Sequence, residues 1–193
     1  MGNRGYALID RDMLYFMHDM PFPDGSSLHY LQEMKLNQIG SLTARNEIIG
    51  TLQGVILGKY HRFLLYIDHD DGLRVTAFDL EDYTSHTLIE RTVNSALLFD
   101  RTLYVTDLES GTLSELVLGI NVHDELVGES RVITDQATGS LVGIADGHVF
   151  ITDQIGKTII RIDLESGVVA NRIVGGDYRA VQVSGSHVLY KDG

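Results

Sequence analysis

Short apolar runs, each bounded by turn residues, recur along the chain and predict β-strands. The runs near residue 150 lie at 141–145, 148–153, 157–163 and 168–173. Runs of this length with Gly, Asp and Ser between them are typical of an antiparallel meander. Asp146-Gly147, between the first two runs, is a hairpin-turn signal. This stretch therefore predicts one four-stranded antiparallel sheet.

The same unit recurs along the rest of the chain. Copies aligned on one residue of the second run lie about 51, 38, 46 and 39 residues apart. The aligned residues are Tyr15, Tyr66, Tyr104, Phe150 and Leu189. The second runs are apolar nearly throughout, as expected for strands buried on both faces. Four-stranded sheets repeated at a period of about 40 residues predict an all-β fold, the β-propeller.

The repeats predict a single propeller domain over residues 1–193. The predicted blades are 4–43, 50–90, 91–133 and 140–174, with a partial blade at 177–191. Four full blades and a partial fifth do not close a ring, so one sheet edge is left unpaired. Three explanations stay open: a fragment of a larger propeller, which we favour, a five-blade ring with one thin blade, or completion by self-association with another copy. Residues 27–36 have spacing compatible with a helix, but their place in the first blade favours a strand.

Composition narrows the classes of partner. The net charge of −12 argues against general nucleic-acid binding and against an anionic membrane surface. The absence of Cys excludes disulfides and thiolate chemistry, and it fits a reducing compartment. We expect a cytoplasmic protein if this is the whole native chain and an extracellular one if the chain is excised from a larger receptor.

Two predicted second strands carry the most specific motif. The run Leu-Tyr-Val-Thr-Asp at 103–107 resembles the Tyr-Trp-Thr-Asp strand of the low-density-lipoprotein-receptor class of β-propellers. The run His-Val-Phe-Ile-Thr-Asp at 148–153 resembles the same strand and, equally, the Val-Tyr-Val-Ala-Asp strand of NHL-type propellers. The resemblance extends over about residues 94–167.

The resemblance implies a fold that mostly binds other macromolecules, although relatives of similar shape include lactonases and lyases. In the receptor class the repeat Asp helps to join neighbouring blades. By position, that role falls to Asp107, Asp153 and Asp192. The first two copies place His18 and His69 where Asp is expected, and the chain has no Trp.

Propellers bind at the mouth of the central channel, which the first strand of each blade lines, and on the loops of one face. The candidate channel-side residues are Arg4, Tyr6, Gln53, Asn94, Tyr178 and Arg179. The loop at 19–25 carries both prolines and Phe22. An exposed aromatic residue in a stiff loop is a candidate protein contact. The alternative is that this loop packs back over the blade edge.

No sequence pattern identifies a nucleophile, a cofactor loop or a set of metal ligands. The acidic run at 68–72 has Gly at its fifth position, whereas an EF-hand loop needs Gly at the sixth, so a solvated turn is favoured. His18 and His69 are expected at one face of the disc, where a shared metal is the less favoured interpretation. We predict no cofactor, with Ca²⁺ or another divalent cation as the alternative.

These observations favour a rigid binding module that contacts a protein partner through its loop face and channel mouth, rather than an enzyme. The first alternative is a channel-mouth enzyme of the lactonase or lyase kind that uses a divalent cation. The second is a segment of an extracellular receptor propeller. No nucleic-acid or membrane partner is expected.

Overall fold

The computed structural model describes residues 7–24, 27–39, 47–153, 158–174, 178–184 and 187–192. Within these ranges the chain forms 18 β-strands and one short 3₁₀ helix, Leu36–Gln38. No helix in the described ranges has the length and apolar character needed to cross a membrane. The chain divides into two compact units, one within residues 3–90 and one within 91–193. The single domain over 1–193 stays a prediction.

The unit within residues 3–90 consists of two four-stranded antiparallel sheets in which chain neighbours pair. The first sheet contains β1 Ala7–Asp10, β2 Met13–Pro21, β3 Ser27–Lys35 and β4 Glu47–Gly50. The second contains β5 Gly54–Tyr60, β6 Phe63–Asp68, β7 Arg74–Asp79 and β8 Ser85–Ile89. Strand β3 confirms the strand predicted for this stretch. Strand β4 lies beyond the predicted blade boundary at residue 43.

The unit within residues 91–193 has two further four-stranded sheets and one two-stranded sheet. The third sheet contains β9 Val93–Phe99, β10 Thr102–Asp107, β11 Leu113–Ile120 and β12 Leu126–Thr134. The fourth contains β13 Ser140–Ala145, β14 His148–Thr152, β15 Thr158–Asp163 and β16 Val169–Val174. The last pair is β17 Tyr178–Ser184 and β18 His187–Asp192. Four full blades and a partial fifth are thus confirmed as sheets.

The second strands β6, β10 and β14 are largely buried, as their continuous apolar character predicted. The prediction fails for β2, in which Tyr15 is the one buried residue, and for Leu189 of β18, which is 55 % exposed. Leu64 and Leu65 point to opposite faces of the second sheet, and both have 0 % exposure. Burial raises the pKa of Tyr66 in the same strand to about 12. The core between the first two sheets comprises Tyr15, Leu31, Ile49, Leu52, Ile56, Leu64, Tyr66 and Phe78.

Polar contacts join the third and fourth sheets. The Asn94 amide donates to the Gly139 carbonyl at 2.6 Å, and the Thr106 hydroxyl donates to the same oxygen at 3.1 Å. Ser95 Oγ accepts from the Leu141 N–H at 3.1 Å. Gly139 has φ +143°, and a Cβ there would overlap the carbonyl oxygen of Thr152. Only glycine fits this junction without strain.

Three five-residue turns share one construction, at 68–72, 107–111 and 163–167. In each, Oδ1 of the first residue, an Asp, accepts hydrogen bonds from the backbone N–H groups two and three residues later. The fifth residue is a Gly at φ +65°, +67° and +71° respectively. The acidic run at 68–72 is therefore a hydrogen-bonded turn, and we call all three Asp-capped turns.

The Asp-capped turns correct one sequence alignment. Counted from the start of β6 and β10, Asp68 corresponds to Asp107, and both end their strands. The predicted equivalence of His69 with the repeat Asp is therefore wrong by one residue. The backbone agrees, because His69 N–H donates to Gln53 O at 2.9 Å as Leu108 N–H donates to Thr92 O at 3.2 Å.

The error came from matching two tyrosines. Aligning Tyr66 with Tyr104 shifts the second blade by one position, whereas the strand starts pair Tyr66 with Val105. In the first sheet, His18 does stand at the position of the repeat Asp, six residues into β2. The first sheet therefore has a His where the second and third sheets have a capping Asp.

Candidate functional site

The β2–β3 hairpin is longer than its counterpart in the second sheet. Strands β2 and β3 have nine residues each, whereas β6 and β7 have six each. Pairing continues past His18↔Tyr30 through three further pairs, of which Pro21↔Ser27 is the last. The hairpin thus extends beyond the point at which the β6–β7 hairpin turns.

One face of this extension is apolar and exposed. Met20 and Leu28 are direct cross-strand partners, so their side chains lie on one face. Each is 43 % exposed, and Phe22, two residues after Met20, is 38 % exposed. We call these three side chains the apolar tip. The exposure of Phe22 supports the prediction of an accessible aromatic residue in this loop.

The other face of the extension is polar. Asp19 and His29 are direct partners, and Oδ1 of Asp19 lies 2.6 Å from Nδ1 of His29. The second ring nitrogen of His29, Nε2, lies 3.4 Å from Oγ of Ser27. Ser27 and His29 are two residues apart on one strand, so both point to the face that carries Asp19.

A cavity of about 80 Å³ adjoins this polar face, within the unit of residues 3–90. Its lining residues are Met17, Asp19, His29, Leu52, Gln53, Gly54 and His69. The β2–β3 hairpin supplies one wall, and the chain entering β5 and leaving β6 supplies the other. At Gly54 a Cβ would overlap the carbonyl oxygen of Ile67, so this part of the wall is bare backbone.

Carboxylates at the base of the hairpin repel one another. Glu33 pairs with Tyr15 on one side and with Glu47 on the other. Burial, and then repulsion from Glu47, raises the pKa of the Glu33 carboxyl. Burial, and then the charge of Glu33, raises the pKa of the Tyr15 hydroxyl. The base of the hairpin is therefore electronegative.

The structure brings one predicted channel-side residue to the cavity and places another elsewhere. Gln53 lines the cavity. Asn94 is half-buried, and its amide group joins the third and fourth sheets by its hydrogen bond to Gly139. Arg4 and Tyr6 lie outside the described residues. Tyr178 and Arg179 lie in β17, but their side chains are outside the described part of the chain. The binding roles of all these residues stay predictions.

The repeat Asp residues have local contacts. Oδ1 of Asp107 caps its own turn, and Oδ2 lies 3.6 Å from Nε of Arg91. The backbone N–H of Asp153 donates to Thr158 O at 3.1 Å. Asp192 ends β18, and its side chain lies outside the described part. Their role in joining blades stays a prediction.

Metal ligands do not converge in the part of the chain that the structure describes. No group of three or more His, Asp or Glu side chains there could hold an ion. His69 lines the cavity, whereas His18 does not. The shared metal that was weighed for this His pair therefore has no support from the described residues.

Sequence reasoning missed Ser27, His29 and Asp19. A weak signal was present, because residues 19 and 29 are equally distant from Asp24, within the Pro-Phe-Pro-Asp-Gly run. Strand alternation also places Ser27 and His29 on one face. Finding the trio would have required knowing that strand pairing runs as far as Pro21.

Comparison with solved structures supports the propeller fold. The chain is similar to a chain in the crystal structure of a nidogen/laminin complex, with 13% identity and a TM-score of 0.56 over 94% of this chain and 68% of that chain. It is also similar to a chain in the S. cerevisiae structure of Dbp5 bound to Nup159 and Gle1, with 10% identity and a TM-score of 0.55 over 84% of this chain and 45% of that chain.

A third similar structure is the N-terminal domain of Nup159, with 10% identity and a TM-score of 0.51 over 97% of this chain and 47% of that chain. The chain thus spans less than half of the length of the two chains from the Nup159 structures. No family model matches the sequence, and no curated protein matches it. The structural neighbours are β-propellers, and the all-β chain described here has the β-propeller fold.

Proposed function

We propose that the chain is a propeller binding module that docks a protein partner on the apolar tip formed by Met20, Phe22 and Leu28. The observation that carries the proposal is the exposure of three neighbouring large apolar side chains at the end of the extended hairpin. Single exposed apolar residues are ordinary on protein surfaces, whereas clustered ones mark interaction sites.

The position of the tip supports this function. Cross-strand pairing of Met20 and Leu28 holds the two side chains together, and β3 continues into the buried Leu31. A docking partner therefore meets a surface that is fixed before binding, which lowers the entropy cost of association. Two of the structural neighbours come from protein complexes, the nidogen/laminin complex and the complex of Dbp5 with Nup159.

The net charge of −12 indicates the partner's chemistry. Long-range attraction to an acidic protein favours a segment with basic residues around an apolar anchor. We expect the anchor to fill the tip and the basic residues to set the association rate, so that association slows as salt is added.

Site-specific photo-crosslinking tests the proposal. A benzophenone amino acid is placed at Phe22, or at the matched control Phe99, which is an exposed phenylalanine in β9. We expect a discrete protein adduct in host cells from position 22 and none from position 99. Met20→Ser combined with Leu28→Ser should abolish the adduct without changing the melting temperature. Equal adducts at both positions, no adduct at 22, or an adduct that survives the double substitution would overturn the proposal.

We also propose that the chain is related to the receptor-class and NHL-type propellers. The support is the strand motif that ends in Asp107 and in Asp153, to which the corrected alignment adds Asp68. An alignment of homologous sequences is the test. Common descent requires that the acidic residue recur at all three positions together, whereas independent variation at these positions would reject it.

A further inference from the structure

On the polar face of the β2–β3 hairpin, a carboxylate, an imidazole and a hydroxyl lie in the sequence found at serine nucleophile sites. The Asp19 carboxylate contacts Nδ1 of His29 at 2.6 Å, and Nε2 of the same ring faces Oγ of Ser27 at 3.4 Å. A carboxylate that orients an imidazole, which in turn faces a hydroxyl, is the arrangement that activates serine. Contacts of this kind are often longer before substrate binds.

Backbone pairing holds the three groups in place. Asp19 lies directly opposite His29, and Ser27 lies opposite Pro21 at the last pair of the ladder. The trio therefore stands on paired strands, which position side chains more accurately than loops do. If Asp19 accepts the proton on Nδ1, the lone pair of Nε2 points to the Ser27 hydroxyl.

A cavity adjoins two members of the trio, Asp19 and His29, while Ser27 lies outside its lining. A surface hydrogen-bond network needs no adjoining space, but here Asp19 and His29 form one wall of the 80 Å³ cavity. The His29 side chain is 22 % exposed and that of Asp19 is 64 % exposed, so the ring is the more shielded partner. The facing wall contains Gln53 and His69, whose side chains carry N–H donors of the kind that stabilise an oxyanion.

We propose that this trio hydrolyses small carboxylic esters, including lactones, with Ser27 as the nucleophile, His29 as the general base and Asp19 as its positioning residue. Ser27 is exposed at the end of the strand pairing, which makes its hydroxyl accessible to small esters from solvent. The activity is separate from partner docking, because the apolar tip lies on the opposite face of the hairpin.

The reaction balances with water alone. Ser27 Oγ bonds to the carbonyl carbon, and its proton passes to Nε2 of His29. The bond from that carbon to the alcohol oxygen breaks, and His29 returns the proton to the leaving alcohol. Water then attacks the acyl-serine and gives a proton to His29, which restores it to Ser27. An ester yields an acid and an alcohol, and a lactone yields a hydroxy acid.

The purified 193-residue chain tests the assignment by labelling and by turnover. A fluorophosphonate probe should modify Ser27, as located by peptide mass spectrometry, and leave the exposed Ser130 of β12 unmodified. With p-nitrophenyl acetate, Ser27→Ala should lower kcat/KM by at least about 100-fold, whereas Ser130→Ala should leave it unchanged. Because other His residues remain in Ser27→Ala, this variant also measures non-specific imidazole catalysis.

Further variants separate the roles. His29→Gln should match Ser27→Ala, and Asp19→Asn should lower kcat by about 100-fold or more with KM little changed. Gln53→Leu should lower kcat by about 10- to 1000-fold if its amide donates to the oxyanion. Docking is read from the crosslink at position 22 and hydrolysis from turnover, so failure of one is distinct from failure of the other.

Three results would overturn the proposal: no probe adduct on Ser27, wild-type turnover by Ser27→Ala, or loss of turnover with a metal chelator. Ser27 and Asp19 are exposed, so their variants should keep the wild-type melting temperature, and the melting temperature of His29→Gln shows whether loss of the half-buried ring affects the fold. A folded Ser27→Ala variant with undiminished turnover would make the trio a hydrogen-bond network only.

Discussion

The β2–β3 and β6–β7 hairpins occupy equivalent places in the first two sheets but end in different ways. In the β6–β7 hairpin, Asp68 accepts two backbone N–H groups and the chain turns after six residues. In the β2–β3 hairpin, the equivalent residue is His18, which has no carboxylate to cap the turn in the same way. Strands β2 and β3 pair for three more residues beyond His18.

The additional pairs carry the chemistry that the compact hairpin lacks. In the second sheet, the equivalent stretch forms the Asp-capped turn at 68–72. In the first sheet the three additional pairs present Met20 and Leu28 on one face, and Asp19, His29 and Ser27 on the other. The hairpin without a capping Asp is longer by three residues in each strand and presents two candidate sites, whereas the shorter hairpin contributes His69 to the cavity wall.

The largest expected effect on stability tests whether the base of this hairpin belongs to the core while its tip does not. Leu31 is fully buried, whereas Leu28, three residues earlier in β3, is 43 % exposed. Leu31→Ala should lower the free energy of unfolding by about 2–5 kcal/mol, because it leaves a cavity in the core. Leu28→Ala should change it by less than about 0.5 kcal/mol. Urea denaturation of both variants measures the difference.

Leu28→Ala is the control for Leu31→Ala because the chemical change is the same. A cost for Leu28→Ala close to that for Leu31→Ala would mean that the tip packs as part of the fold. That result would contradict the proposal that the apolar tip is a docking surface. It would support the alternative in which the loop packs back over the blade edge.

The next effect tests the capping role of Asp at the ends of second strands. Asp107 Oδ1 accepts from the backbone N–H of Glu109 and from the N–H and hydroxyl of Ser110. Asp107→Ala should cost about 1–2 kcal/mol at pH 7, since charge-assisted hydrogen bonds are lost. His18→Ala, at the equivalent exposed position, should change stability by less than about 0.5 kcal/mol.

The pH dependence of this effect has a definite sign. The hydrogen bond from the Ser110 backbone, above all, lowers the pKa of the Asp107 carboxyl. A carboxyl with a lower pKa in the folded state stabilises the fold above the unfolded pKa, and the gain is lost as pH falls through the folded value. The cost of Asp107→Ala, measured by urea denaturation, should therefore shrink as pH falls below about 4, the ordinary pKa of an Asp carboxyl. A cost that is independent of pH would contradict charged capping.

The sheets could be predicted from the sequence because burial on both faces leaves continuous apolar runs. The exact alignment could not, since Tyr66 and Tyr104 look equivalent although Tyr66 corresponds to Val105. The candidate site was harder still. Asp19 and His29 meet only if pairing runs without a slip to Pro21, and a slip of one residue would move His29 away from Asp19.

Asn94 illustrates a different limit of sequence reasoning. A polar residue in a first strand is compatible with ligand binding at the channel, and that was the prediction. In the structure its amide donates to Gly139 O, a backbone acceptor 45 residues later in the chain. Buried carbonyl groups need such partners, but only the packing of two sheets reveals which residue supplies them.

The smallest effect concerns the electronegative base of the hairpin. Glu33 stands beside Glu47 in the adjacent strand, and burial followed by repulsion from Glu47 raises the pKa of Glu33. A raised folded-state pKa means that the fold prefers the protonated carboxyl. The stability that this preference gives is present below the unfolded pKa of about 4.3 and is lost as pH rises through the folded value.

Glu33→Gln should therefore stabilise the protein at neutral pH. Removing one charge of a like-charged cross-strand pair should raise the free energy of unfolding by about 0.2–0.5 kcal/mol at pH 7, with solvent screening keeping it small. Near pH 4 the gain should vanish. Glu129→Gln, at an exposed position of β12, is the matched control and should be neutral at both pH values. Destabilisation of Glu33→Gln at pH 7 would show that ionised Glu33 contributes favourably and would contradict repulsion between Glu33 and Glu47.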